Sequence, residues 1–237
     1  MSIRKRNHHK IISKLCLFDD DFAKVVFKDC GCVEYVLNII LDKKIRIVES
    51  DIQYVITNLK RRSIQLDIFA RDENDIYYNI EIQKDKENAS VLRARYHVSL
   101  IDSEVSYTLQ RWKDIRELYV IFTEFDMFGM NKPVYYYDRT LRDENVILDS
   151  KEHIMYVNGK NKDGSNLGRL VYDFGCVDAD MMNESILKQR VKRLKEESEA
   201  DNEMCELIDE YVRKLAKEDA IEYAKDMAQD MAQDMAQ

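Results

Sequence analysis

Residues 64–83 read IQLDIFARDENDIYYNIEIQ, and their alternation decides the architecture. Ile64, Leu66, Ile68 and Ala70 fall on one face of an extended chain, with Gln65, Asp67, Phe69 and Arg71 on the other. In the second half Ile76, Tyr78, Ile80 and Ile82 alternate with Tyr77, Asn79, Glu81 and Gln83. The polar cluster Asp72, Glu73, Asn74 and Asp75 supplies the turn between two strands. In an antiparallel hairpin closed there, partners have residue numbers summing to about 148, so Asp67 faces the neighbourhood of Glu81 on one side of the sheet. Two carboxylates and the Gln83 amide then converge. Carboxylate oxygens at that density suit a hard cation such as Mg²⁺, which takes one or two protein carboxylates and completes its shell with water and phosphate. In an acidic chain the same pattern also describes a solvated sheet face, and spacing alone does not separate the two readings.

Outward from the hairpin, the apolar positions Val33, Val36, Leu37, Ile40 and Leu41 predict a buried helix. A shorter helix is expected over residues 22–27, and Ile45 to Ile56 reads as extended chain leading into the hairpin. After Gln83, residues 89–104 predict a long helix on which Leu92, Tyr96 and Leu100 stack at four-residue spacing, decorated by Arg93, Arg95 and His97. The run ELYVIF (117–122) predicts a central strand, and PVYYY (133–137) and EHIMYV (152–157) predict two more. Tyr135, Tyr136 and Tyr137 are either strand packing residues or a surface on which bases stack. From Met181 to Ala224 the chain is rich in helix formers, and it ends in three Asp-Met-Ala-Gln repeats whose methionines recur every fourth residue. That stripe suits either a helix seeking a partner or a low-complexity tail.

Composition narrows the class. The chain has 237 residues, 45% hydrophobic and 35% charged, which suits a globular domain with an appendage. No apolar run reaches membrane-spanning length, so no membrane partner is expected. The basic N-terminus is followed by an apolar stretch broken at Ser13 and Lys14 with no small-residue cleavage site, so no secretory signal is expected. Five scattered cysteines predict reduced thiols in a cytoplasmic setting, and Cys30-Gly31-Cys32 lacks the further ligands of a zinc site. A net charge of −8 disfavours tight non-specific nucleic-acid binding, yet Lys60, Arg61 and Arg62 precede the hairpin and Arg93 and Arg95 follow it. A phosphate approaching the acids meets positive charge on both sides.

These segments together resemble the PD-(D/E)XK nuclease family transposases, the group that includes the recombination-promoting nucleases. The resemblance covers most of the chain: FDDDFAKVVFKD (18–29), VEYVLNIIL (33–41), LDIFARDENDIYYNIEIQ (66–83), RARYH (93–97), YVIFTEFDMFGMNKPVYYYDR (119–139), HIMYVNG (153–159), YDFGCVDADMM (172–182) and VKRLKEESEADNEMCELIDE (191–210). It implies an α/β fold, a restriction-endonuclease-like core with a central mixed β-sheet flanked by helices over residues 1–180, and a helical C-terminal extension over 181–237. It implies a metal-dependent DNA endonuclease of mobile-element or recombination type. Asp67 and Glu81 would be its catalytic acids, and Asp67, Glu81 and the Ile82 carbonyl would hold Mg²⁺ or Mn²⁺. Gln83 stands where the wider superfamily has lysine and would orient the attacking water; an amide can hydrogen-bond there but brings no charge. Leu66 stands where the family name has proline. Arg93, Arg95 and Tyr96 are the expected contacts to a DNA backbone, and the C-terminal helices would form a homodimer. The alternative is an inactive nuclease-fold protein serving as a DNA-binding or protein-interaction module. DNA and RNA are not separated by these residues, since the acids recognise phosphate and metal.

Overall fold

The computed structural model describes residues 11–58, 62–84, 86–106, 118–183 and 185–196, with Asp209 and Arg213. The N-terminal basic cluster, Lys60, Arg61 and the Asp-Met-Ala-Gln repeats lie outside the described residues. So do most of the segment expected to be helical beyond Met181 and with it the expected dimer surface. The chain divides into two units, of which Leu15–Lys192 holds the sheet and the site.

The hairpin forms in the expected register. Strands β1 (Ile47–Ile56), β2 (Ile64–Asp72) and β3 (Tyr77–Gln83) make an antiparallel meander. Ile68 pairs with Ile80, Phe69 with Asn79, Ala70 with Tyr78 and Arg71 with Tyr77, all summing to 148. Asp72 builds the turn: buried at 0% exposure, it accepts the Asn74 and Ile76 N–H groups on Oδ1, both at 2.9 Å, and the Tyr78 hydroxyl on Oδ2 at 3.0 Å. A short polar side chain that satisfies backbone donors in a turn is the usual reason for Asp there. Asp75 takes the left-handed conformation at φ 60° that the reversal needs.

The remaining strands are β4 (Leu118–Thr123), β5 (Val134–Tyr137), the small hairpin β6 (Thr140–Leu141) with β7 (Val146–Ile147), and β8 (Glu152–Asn158). They extend the meander into a six-stranded mixed sheet of order β1-β2-β3-β4-β8-β5, in which β3, β4 and β8 are parallel and β5 is antiparallel to β8. From Leu118 onward the apolar run is thus a central strand, as its composition predicts.

Among the described residues the bounded α-helices are α1 (Asp20–Val26), α2 (Cys30–Leu41), α3 (Val91–Val105), α4 (Asn166–Phe174) and α5 (Ile186–Glu196). Parallel strands need a long crossover, and α3 lies in sequence between β3 and β4. Its N-terminus is capped by Ser90 Oγ, which accepts the Arg93 N–H at 3.3 Å. Ala94, Val98 and Ile101 of α3 pack into a core with Ile56, Ile64, Leu66, Ile154 and Tyr156. Full burial of each large aliphatic side chain there contributes about 1.5–3 kcal/mol. On α2, Glu34 accepts the Ile47 N–H at 2.9 Å, fastening the helix to the start of β1. Cys30 is exposed and Cys32 buried on that helix, so the pair does not converge on a common ligand.

Helix α4 and the β6–β7 hairpin were not legible as elements. Helix α4 buries Leu170, Val171 and Phe174, with Phe174 against Phe18 and Phe27 at ring separations of 5.6 and 6.0 Å. Polar links run on past residue 180: Asn183 donates to Asp173 Oδ1 at 2.8 Å, and Lys192 pairs with Asp180 at 2.6 Å. Of the three consecutive tyrosines, Tyr135 is a packing residue, 6% exposed, edge-on to Phe128 and donating its hydroxyl to Asp126 at 2.6 Å. Tyr136 and Tyr137 are exposed.

Candidate active site

Asp67 reaches β3 beside Glu81, where the β2–β3 ladder gives way to a side chain. The last paired residues are Ile68 and Ile80; one step further, the Ile82 N–H donates to Asp67 Oδ2 at 3.0 Å. Asp67 is therefore fixed beside the residue that follows Glu81. On its other edge β3 pairs with β4, and the register shifts between Asn79 and Ile82, at the level of Glu81.

Glu81 is 3% exposed and surrounded by nitrogen donors. Asn79 Nδ2 donates to Oε1 at 3.1 Å and Gln83 Nε2 to Oε2 at 3.4 Å, both from the same strand at two-residue spacing. From α3, Arg93 Nη2 lies 3.5 Å from Oε2 and His97 Nδ1 lies 3.4 Å from Oε1. Arg93 Nε also donates to His97 Nε2 at 3.3 Å, which leaves that ring nitrogen as acceptor and puts the imidazole proton on Nδ1, facing Glu81. The side chain of Gln83 thus turns onto Glu81. Lys84 pairs with Asp19 at 2.6 Å and takes no part in this group.

Asp67 is held neutral over most of the physiological range: burial, reinforced by the negative charges of Glu81 and then Asp20, pushes its carboxyl up to about 8, against the Ile82 bond and Lys24. Lys24 is itself paired with Asp20 at 2.6 Å and Asp21 at 3.5 Å. Beside Asp67 opens a cleft of about 850 Å³ whose walls include Lys24, Arg62, Arg93, Tyr96 and His97. Behind Glu81 a second cavity of about 10 Å³, lined by Asn79, Gln83, Ser90, Arg93 and His97, has room for about one water molecule. Asn79 Oδ1 is buried there without a hydrogen-bond partner among the described residues.

Of the residues singled out in the sequence, Asp67, Glu81, Gln83, Arg93 and Tyr96 come together. Tyr96 lines the cleft and donates its hydroxyl to the Arg62 carbonyl at 2.5 Å. Arg95 does not join them: two residues past Arg93 it lies about 200° round the helix and is exposed. Asn79, Asp20 and Lys24 are additions that the sequence did not mark, and His97, noted there only as decorating the helix, joins them. No family model, curated protein or solved structure matches this chain.

A divalent cation can be tested against these residues directly. Among the described residues no group of three or more His, Cys, Asp or Glu side chains is placed to hold a metal ion. Mg²⁺ needs fewer, since one or two carboxylates suffice when water and phosphate fill its shell. The positive sign is at Asp67, whose carboxyl is raised first by burial and then by the negative charge of Glu81, so that a cation beside the two acids would favour its ionised form. The donor set fits a hard cation.

Proposed function

We propose that this chain is a metal-dependent endonuclease that hydrolyses the phosphodiester backbone of DNA, with a restriction-endonuclease-like core of the PD-(D/E)XK transposase and recombination-promoting type. One observation carries the reading: two acids on adjacent strands stand near each other, Asp67 half-buried in the wall of an open cleft that also presents Lys24, Arg62 and Arg93, and Glu81 buried behind it and reached by the same Arg93.

Asp67, Glu81 and the Ile82 carbonyl would hold Mg²⁺ or Mn²⁺. Such an ion lowers the pKa of a bound water and neutralises charge developing on phosphate. The chain's own residues do the rest. Asn79 and His97 fix the orientation of the Glu81 carboxylate, and the Ile82 N–H fixes that of Asp67. Arg62 and Arg93 attract and orient the phosphate backbone along the cleft. Gln83, released from Glu81, is the amide available to hydrogen-bond the attacking water.

The experiment is cleavage of supercoiled plasmid by the full chain with Mg²⁺ or Mn²⁺, against EDTA. Nicking or linearisation is expected with metal only, and Asp67→Asn and Glu81→Gln should each reduce it to background while the far-UV spectrum stays that of the parent. Cleavage that survives either substitution overturns the assignment. The Gln83–Glu81 bond favours a second reading, an inactive nuclease fold retained as a DNA-binding or interaction module, because it engages the amide with the acid instead of with water. Metal-independent DNA binding without cleavage is its signature.

A further inference from the structure

Glu81 is a nearly fully buried carboxylate, and a buried charge requires compensation. Among the described residues the one permanently cationic side chain on it is Arg93. Yet Arg93 is held there loosely. Its three contacts are 3.1 Å to Asn88 Oδ1, 3.3 Å to His97 Nε2 and 3.5 Å to Glu81 Oε2, and its side chain remains 34% exposed. A strong guanidinium–carboxylate pair is shorter and bidentate. Arg93 lines both the small cavity behind Glu81 and the open cleft, so its side chain has space on either side.

Resting on the metal-site reading above, we infer that Arg93 is the resident counter-ion of Glu81, which a divalent cation displaces, sending the guanidinium into the cleft to meet substrate phosphate. Cation and arginine compete for one carboxylate. Once the ion is in place, the arginine is repelled by it and is supplied to the phosphate, which couples metal occupancy to substrate binding. His97 keeps its bond to Glu81 throughout and is the positioning residue of the exchange.

Calorimetric titration of the full-length protein with Mn²⁺, in the absence of nucleic acid, tests this. Arg93→Gln removes the competing charge and should tighten Mn²⁺ binding by about fivefold, whereas Arg93→Lys should keep the parent affinity. An Arg93→Gln protein that is folded and binds Mn²⁺ equally or more weakly overturns the inference. A second measurement stands apart from that variant's folding: the Nε–Hε NMR signal of Arg93 in the parent protein, assigned by its disappearance in Arg93→Lys, should move on adding Mg²⁺. A signal that stays in place also overturns it. If the parent binds no divalent cation, both this inference and the metal-site reading fall. If binding is abolished by Asp67→Asn and Glu81→Gln but is indifferent to Arg93, the site stands and only the exchange falls.

Discussion

Asp67 contributes a pH dependence to the stability of the fold. In the unfolded chain its carboxyl ionises at its ordinary value of 3.8, whereas in the fold burial and Glu81 hold it neutral up to about 8. Between those values the folded state carries the extra proton, so this group's contribution to stability is complete below about pH 4 and is lost as pH rises through about 8. Thermal melts in EDTA should therefore show the parent losing stability from about pH 5 to about pH 8, with the slope reduced in Asp67→Asn. Saturating Mg²⁺ should restore stability at the alkaline end, where the ionised pair holds it best. An Asp67→Asn protein with the parent's pH slope would show that the acid is not buried against a like charge. The pair itself was readable in the sequence, because strand alternation and a turn of known place fix which residues face each other. His97 was not. It lies on a helix whose rotation against the sheet depends on packing, and for the same reason Arg93 and Arg95 look equivalent in sequence although only Arg93 reaches Glu81.

Elements were legible where periodicity was long and uninterrupted. The hairpin, α2, α3 and the central strand qualify, and α4 does not, because Gly168 and Arg169 interrupt a nine-residue helix that has few turns in which to show a pattern. Its signals are visible with hindsight: Ser165 caps it by accepting the Gly168 N–H at 3.0 Å, and Leu167, Leu170, Val171 and Phe174 recur at helical spacing. Gly168 is there for close approach, not for backbone freedom. A methyl group on it would run into the carbonyl and carboxylate of Asp163, whereas one on Gly164 would meet open space. Gly168→Ala should therefore destabilise the fold by roughly 1–3 kcal/mol in urea titrations. Gly164→Ala should stay within about 0.5 kcal/mol of the parent. Equal effects would mean that the cap does not bring Asp163 against the helix.

At the scale of the whole molecule, topology explains why a chain of net charge −8 has its candidate phosphate site where it does. Glu81 and Gln83 stand at the carboxyl end of β3, the first of three parallel strands, just before the helix that leads towards β4. In sheets with such crossovers, ligands bind outside the carboxyl ends of the strands, where backbone and helix N-termini converge. Antiparallel β2 brings Asp67 to the same end, so one end of the strands collects both acids. No helix among the described residues is long and apolar enough to cross a membrane. A net charge of −8 opposes nucleic-acid binding, so attraction must come from local cations such as those of the cleft. Among the described residues of the cleft, Lys24 is neutralised by Asp20 and Asp21, which leaves Arg62 and Arg93 as the effective pair of permanent cations. Two neutralised phosphates give a slope of about −1.8 for log affinity against log salt on duplex DNA, shallow for a DNA-binding protein. Binding of a fluorescent duplex in Ca²⁺ across a salt series should show that slope, and Arg62→Gln should reduce it by about 0.9 while lowering affinity at every salt concentration. A steep slope that Arg62→Gln leaves unchanged would place the nucleic-acid surface away from this cleft.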